Sequence, residues 1–428
     1  MNKVAKNASW IIVCRIVQAL LGLIINMITA RYFGPSNFGL LTYASSLVAF
    51  VTPLMQLGFN NTLVQELIND PENEGKYLGT SMALSSFSAF FCIISITVFS
   101  LVANPNEKET IYVCFLYSLL LIFQALELIS FWFQANYISK YHSIVSLVAY
   151  FIVSLYKLYL LFSHKSIYWF AISNCLDYLI ISISIIIIYL RLGGNRLCFS
   201  TSIAKSMFSS SKHYIVSDMM VTVFAQTDKI MLKQMIADSA TGYYGAAIQC
   251  AGMASFVFAA IINSFRPSIF ESRLNNQIEY ETKIKLLYNI VIYFSLFLCL
   301  CAVLFSRQLI LIMYGSDYSP AIVVLRIVVW YTTFSYLGSI RNIWILAEEK
   351  QKYLWIINLS GALFNVVFNL LLIPRLGIVG AAIASLATQI FTNVIIGFII
   401  IPLRRNNVLM MESIHPKYIK EMIYRLKD

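Results

Sequence analysis

Charge is what this chain is short of. Of 428 residues only 12% are Asp, Glu, Lys or Arg, about half the roughly 25% of a soluble domain. Hydrophobic residues make up 59%. That balance excludes a water-soluble body and marks an integral membrane protein. The strand-like alternation of apolar and polar residues that builds a lipid-facing barrel is also missing. The eight cysteines show neither a disulfide framework nor zinc-ligand spacing. Most of them, such as Cys14, Cys92, Cys175 and Cys299, lie in apolar runs, where free thiols are expected. There is no G-x-x-x-x-G-K-[ST] loop, no H-E-x-x-H helix and no Asp-x-Asp triplet. ATP hydrolysis, zinc-protease chemistry and nucleotide-sugar transfer are therefore not expected, and neither a metal nor an organic cofactor is implied. The sequence reads as a non-enzyme.

What the chain does have is apolar runs of membrane-crossing length. A bilayer takes about 20 mostly apolar residues per helix. Twelve segments qualify: 9–30, 38–57, 77–103, 110–133, 143–163, 167–191, 213–236, 243–265, 284–306, 321–346, 353–373 and 378–402. Lys3 and Lys6 ahead of the first run resemble the start of a signal peptide. That run, however, contains Arg15 and reaches Ala30 without a small-x-small cleavage site, so it reads as the first span.

Lys and Arg orient the spans. With the N-terminus in the cytoplasm, only Arg31, Lys108, Lys165, Arg307 and Arg375 of the 31 basic residues fall in outer loops. Arg15, Lys157, Lys229, Lys233, Arg326 and Arg341 lie inside spans, and all the others are on the inner side. That asymmetry places both termini in the cytoplasm. It also accounts for most of the net charge of +11 through topology and contact with anionic lipids, so no nucleic-acid partner is expected. The loops are too short for a folded domain, which confines function to the membrane. The basic tail 403–428 is expected to lie as a short interfacial helix.

Two stretches echo each other. Residues 34–47, GPSNFGLLTYASSL, end span 1 and open span 2. Residues 237–250, ADSATGYYGAAIQC, end span 7 and open span 8. A constant offset pairs Ser36 with Ser239, Gly39 with Gly242 and Ala44 with Ala247. The chain thus reads as two six-span lobes, 1–191 and 213–402, joined by a cytoplasmic linker, 192–212. An even number of spans per repeat gives both lobes the same orientation. The expected fold is all-α, with two pseudo-symmetric lobes around a central cavity that opens by alternating access. Gly34, Pro35 and Gly39 are helix breakers and read first as a turn, as do Pro374–Gly377 between spans 11 and 12.

The stretch ARYFGPSNFGLLTYASSL with LGFNNTLVQE, then TDKIMLKQMIADSATGYYGAA, then NLLLIPRLGIVGAAIASLATQ resembles, in order and at matching spans, the O-antigen and polysaccharide flippases. These form a branch of the multidrug/oligosaccharidyl-lipid/polysaccharide exporter superfamily. The resemblance implies translocation of an undecaprenyl-pyrophosphate-linked oligosaccharide across the cytoplasmic membrane. It also implies membrane lipids as partners, with the polysaccharide polymerase and chain-length regulator acting downstream. The alternative within the superfamily is a cation-coupled multidrug exporter, which span 1 disfavours because it holds Arg15 and no carboxylate.

Charges inside spans cost about 2.5–3.5 kcal/mol each at a helix centre, so they line cavities or pair internally. In span 1, Arg15, Gln18, Gly22, Asn26 and Thr29 share one helical face. In span 7, Asp218, Thr222, Gln226, Lys229 and Lys233 do the same. The two stripes correspond under the repeat and are expected to face a common cavity. Lys157 and Arg341 join this set as cavity cations, since an anionic pyrophosphate needs compensating charge and Arg grips it bidentately. Asp228 lies about 100° off its stripe and reads as a structural pair. Glu127, Asp177 and Asp218 are the carboxylates available for H+ or Na+ coupling. Trp10, Trp132, Tyr150, Tyr156 and Tyr159 are the rings nearest the proposed path, although membrane-interface belts account for most Trp and Tyr.

Overall fold

A computed structural model describes residues 3–415 of the chain. Its described residues form helices α1 (Lys3–Gln56), α2 (Phe59–Asn69), α3 (Glu74–Ala103), α4 (Lys108–Ser118), α5 (Leu120–Leu126), α6 (Ser130–Ala135), α7 (Lys140–Phe162), α8 (Ile167–Arg191) and α9 (Thr201–Met235). They continue with α10 (Asp238–Ala251), α11 (Ser255–Asn275), α12 (Gln277–Leu304), α13 (Ser306–Tyr314), α14 (Ala321–Ala347), α15 (Leu354–Leu376), α16 (Ile378–Ile390), α17 (Ile396–Ile399) and α18 (Arg404–Glu412). No strand occurs among the described residues.

Ten helical stretches among the described residues are long and apolar enough to cross a membrane. The first, Val13–Asn69, contains both of the first two expected spans. They run together into α1 and are separated by a kink at Gly34, whose φ of 70° and ψ of 177° only glycine adopts without strain. Pro35 follows, where a first helical turn has no use for its missing N–H. The seventh expected span, α9, is not one of the ten. Asp218, Asp228, Lys229 and Lys233 interrupt its apolar residues, and it packs against α1 and α3. Ten apolar stretches, the first of them doubled, together with α9 account for the twelve expected spans. Gly377 (φ 59°) turns the chain from α15 into α16, where Pro374–Gly377 was expected to break the helix.

Packing groups the chain differently from the repeat. One compact unit runs from Met1 to Gly242 and the other from Tyr243 to Asp428, because α9 lies against α1 and α3. The sequence division instead put the boundary in the linker 192–212.

In the first unit α1 packs along α7 and α9, while α8 packs along α4, α5 and α7. One core gathers Tyr43, Met55, Val113, Leu121 and Ala171. A second gathers Phe59, Trp132, Phe133 and Tyr189, with Trp132 Nε1 donating to Glu74 Oε2 at 2.6 Å. Large apolar side chains such as Phe87, Phe90, Phe91 and Val102 stand exposed, as a hydrocarbon solvent permits and water does not.

In the second unit α14 packs against α12 and α16, and α15 against α16. The core there holds Phe258, Tyr280, Tyr288 and Trp344. The start of the expected interfacial tail is instead docked into this unit as α18. Tyr288 donates to Asn406 Oδ1 at 3.0 Å, Asn289 donates to the Ser413 carbonyl at 2.6 Å, and Arg405 pairs with Glu281. Residues 416–428 of that tail lie outside the described residues.

Candidate functional site

The first unit holds an open cavity of about 650 Å³. The second half of α1 contributes Ser45, Thr52 and Gln56 to it. These fall at i, i+7 and i+11, one face of a helix. From α9 come Asp218, Thr222 and Gln226, at i, i+4 and i+8. The remaining polar wall is Asn60 of α2, Tyr117 of α4, Gln124 of α5, and Asn174, Asp177 and Tyr178 of α8.

The polar stripe expected on α9 is thus present, but it is divided. Its first three members face the cavity. Lys229 turns back, its Nζ donating to Gln226 Oε1 at 3.0 Å. Lys233 is buried and points elsewhere. It donates to Glu107 Oε2 at 2.5 Å and to Asp238 Oδ2 at 2.8 Å. Next to this pair, Gln234 Nε2 donates to Tyr43 Oη at 2.8 Å and to Asn104 Oδ1 at 3.1 Å. The triad ties the end of α9 and the start of α10 to the loop ahead of α4. Glu107 lies in that loop, outside the spans, and the Lys233 ammonium holds its carboxyl below the usual value of 4.5. Asp228 is buried, 4% exposed.

The stripe expected on the first half of α1 does not line this cavity. Arg15 and Asn26 are exposed and Gln18 is half-buried. The Thr29 hydroxyl donates to the Ile25 carbonyl at 2.7 Å. Lys157 reaches the cavity wall indirectly, donating to Asn174 Oδ1 at 2.9 Å. Glu127 pairs with His142 at 2.9 Å and is not part of the lining. Arg341 is buried in the second unit, 5% exposed. Its Nη1 donates to the Thr392 carbonyl at 2.5 Å within a π-helical turn, Phe391–Ile395. Such a turn shifts the backbone ladder and frees a carbonyl for side-chain bonding.

The lining is polar and carries two carboxylates, Asp177 and Asp218, with no Lys or Arg. Asp218 Oδ2 accepts from Asn61 Nδ2 at 3.0 Å. Asp177 Oδ1 and Gln124 Oε1 are buried and receive no hydrogen bond from the protein. Gln56, Gln124 and Asn174 were not singled out from sequence. A signal for them existed, since the helical-face rule that found the α9 stripe also finds Ser45, Thr52 and Gln56 in span 2 and Asn174 with Asp177 in span 6.

The sequence pattern described as "Polysaccharide biosynthesis protein" matches residues 4–273. Capsular polysaccharide biosynthesis protein CapF of Staphylococcus aureus is 22% identical over 397 residues, covering 90% of this chain and 96% of that protein. An uncharacterised membrane protein of Methanocaldococcus jannaschii is 25% identical over 270 residues, covering 59% of this chain and about half, 51%, of the relative. Among solved structures, the lipid II flippase MurJ in an inward closed conformation superposes with a TM-score of 0.71 at 15% identity, covering 97% of this chain and 92% of the other. An inward-facing multidrug resistance MATE family transporter of the MOP superfamily gives 0.67 at 12% identity, covering 92% and 96%. At such identities these two likenesses speak for the fold.

Proposed function

This chain belongs to the polysaccharide biosynthesis protein family, and on that premise we propose that it carries a lipid-linked glycan across a membrane by alternating access. The observation that carries the reading is the polar cavity inside a helical body whose outer side chains are apolar. Burying that many amides, hydroxyls and carboxylates in a membrane is costly unless a polar cargo passes there. The cargo we assign is an undecaprenyl-pyrophosphate-linked oligosaccharide, such as an O-antigen or similar repeat unit. The membrane is the cytoplasmic membrane of a bacterium, with both termini inside, as the Lys and Arg distribution supports. A polymerase and a chain-length regulator would consume the product. Asp177 and Asp218 are the carboxylates placed to couple transport to H+ or Na+, whereas Glu127 is engaged by His142.

The test is deletion of the gene in its own host, followed by complementation. The deletion strain should lose surface polysaccharide and accumulate lipid-linked repeat units on the inner leaflet. Unchanged surface polysaccharide would refute the reading. A fusion reporter placed after Lys212 should read as cytoplasmic.

One observation favours a second reading. Two carboxylates line the cavity, which suits a cationic cargo and thus a cation-coupled multidrug exporter. That reading expects hypersensitivity of the deletion strain to lipophilic cations with surface polysaccharide intact.

A further inference from the structure

The cavity of the first unit offers acceptors and lacks charged donors. Asp177 and Gln124 stand in its wall, with Asp177 Oδ1 and Gln124 Oε1 closed to solvent. Asp218 engages Asn61 through one oxygen, and a carboxylate accepts up to about four hydrogen bonds. The two lysines nearest the wall do not line it. Lys157 donates to the amide oxygen of Asn174 and stands within electrostatic reach of Asp177, and Lys229 donates to the amide oxygen of Gln226. An anionic ligand would therefore meet carboxylates before it met any ammonium. A ligand rich in O–H or N–H groups would find acceptors at Asp218 and at the amides and hydroxyls of the lining.

Size narrows the ligand further. About 650 Å³ is far more than a single ion needs and sits within the ~300–1,000 Å³ of small-molecule sites. Tyr117 and Tyr178 add rings to the wall, against which the C–H face of a pyranose can lie. We propose that this cavity is the sugar subsite for the cargo, that it takes a neutral or amine-bearing sugar, and that Asp177 and Asp218 reject a uronic acid there. The proposal rests on the flippase reading and deepens it by naming the sugar class. Rejection comes from like-charge juxtaposition, the repulsive half of specificity. The pyrophosphate is then held elsewhere, by cations that do not line this cavity.

The test uses the full-length protein, purified into lipid nanodiscs, and three trisaccharides of matched size. These are triacetylchitotriose (neutral), chitotriose (amine-bearing) and trigalacturonate (acidic), each titrated by calorimetry. The first two should bind and the acidic one should bind at least about tenfold more weakly. Asp177→Asn should narrow that gap to about threefold or less, because one repelling charge is gone. Gln56→Leu should weaken the neutral sugar about two- to tenfold without touching the charge discrimination. Elution profile and helicity are checked for each variant, and the wild-type charge series stands even if a variant fails to fold. An acidic trisaccharide binding as well as the neutral one overturns the proposal, as does unchanged discrimination in folded Asp177→Asn. If none of the three binds while gene deletion still abolishes surface glycan, the subsite falls and the flippase reading stands. If they bind as expected while the deletion strain keeps its surface glycan, the subsite stands and the flippase reading falls.

Discussion

Gly39 and Gly242, which correspond in the internal repeat, pack backbone against backbone. A Cβ on Gly39 would lie 1.8 Å from the Asp238 carbonyl oxygen, and one on Gly242 would lie 2.1 Å from the Pro35 carbonyl oxygen. Both obstacles are main chain, so neither can swing aside as a side-chain tip would. The helical stretch after the kink at Gly34 and the first turns of α10 therefore meet only because both positions lack a side chain. Gly39→Ala and Gly242→Ala should each cost about 1–3 kcal/mol, the range for forced overpacking. The measurement is disulfide cross-linking between cysteines at Ser36 and Ser239, which should form readily in the parent and at least about fivefold more slowly in either alanine variant. Equal rates would mean that the close approach is not maintained in the membrane.

The Lys233 triad lies beside this contact. The Lys233 side chain is 3% exposed, Asp238 28% and Glu107 48%. Breaking a fully buried pair costs about 3–5 kcal/mol, but half-exposed Glu107 regains water, so Lys233→Met should cost about 1–2 kcal/mol. The loss has a pH signature. Lys233 holds the Glu107 carboxyl below its usual 4.5, so the pair's contribution is present above that value. It fades as pH falls through the depressed folded value. Thermal melts should separate parent from variant at pH 7 and bring them closer together at pH 4 and below. A separation that grows on acidification would rule out this pairing.

Arg15 stands exposed on the first half of α1, outside the cavity of the first unit, and on the proposed function it is the residue we propose for the pyrophosphate. A bidentate guanidinium is the strongest single grip on such a group. Surface polysaccharide in a complemented deletion strain should be partly retained with Arg15→Lys and at least about tenfold lower with Arg15→Ala. It should be lowest with Arg15→Glu. Membrane protein levels are compared alongside. Full surface polysaccharide from Arg15→Glu would remove Arg15 from the path.

Arg341 has a different task. It is buried and bonded to the Thr392 carbonyl that the π turn exposes. Arg341→Met keeps most of the volume and loses a charged hydrogen bond, a cost of about 1.5–3 kcal/mol. The melting temperature of purified protein should fall by several degrees. An unchanged melt would show that the π turn holds without the guanidinium.

Much of the architecture was readable from the chain because membrane helices announce themselves by length and hydropathy. Gly34 and Gly377 announce the turns by the φ values only glycine tolerates. The site was readable on α9, where Asp218, Thr222 and Gln226 recur at helical spacing. It was not readable at Lys233, which shares that spacing but is captured by Glu107 from a loop 126 residues away, and no local pattern reports such a partner. The two stripes assigned to a common cavity also diverge. α9 shares its cavity with the second half of α1, and the kink at Gly34 decides which half lies alongside. Arg341 escaped for the opposite reason, since its partner is a carbonyl released by a one-residue backbone irregularity and backbone irregularity leaves no mark in side-chain pattern.

The polarity of α9 also bears on how the chain enters the bilayer. A helix carrying Asp218, Asp228, Lys229 and Lys233 does not partition into hydrocarbon alone, at about 2.5–3.5 kcal/mol per central charge. Glu107, the counter-charge for Lys233, is synthesised 126 residues earlier, and the amides and carbonyls that α9 lies against in the first unit also precede it. When α9 leaves the ribosome these partners have already been made, and the second counter-charge of Lys233, Asp238, follows five residues later. Its insertion is then a docking onto a finished surface rather than a partitioning into lipid, and the order of synthesis becomes part of what lets so charged a helix reside in the membrane.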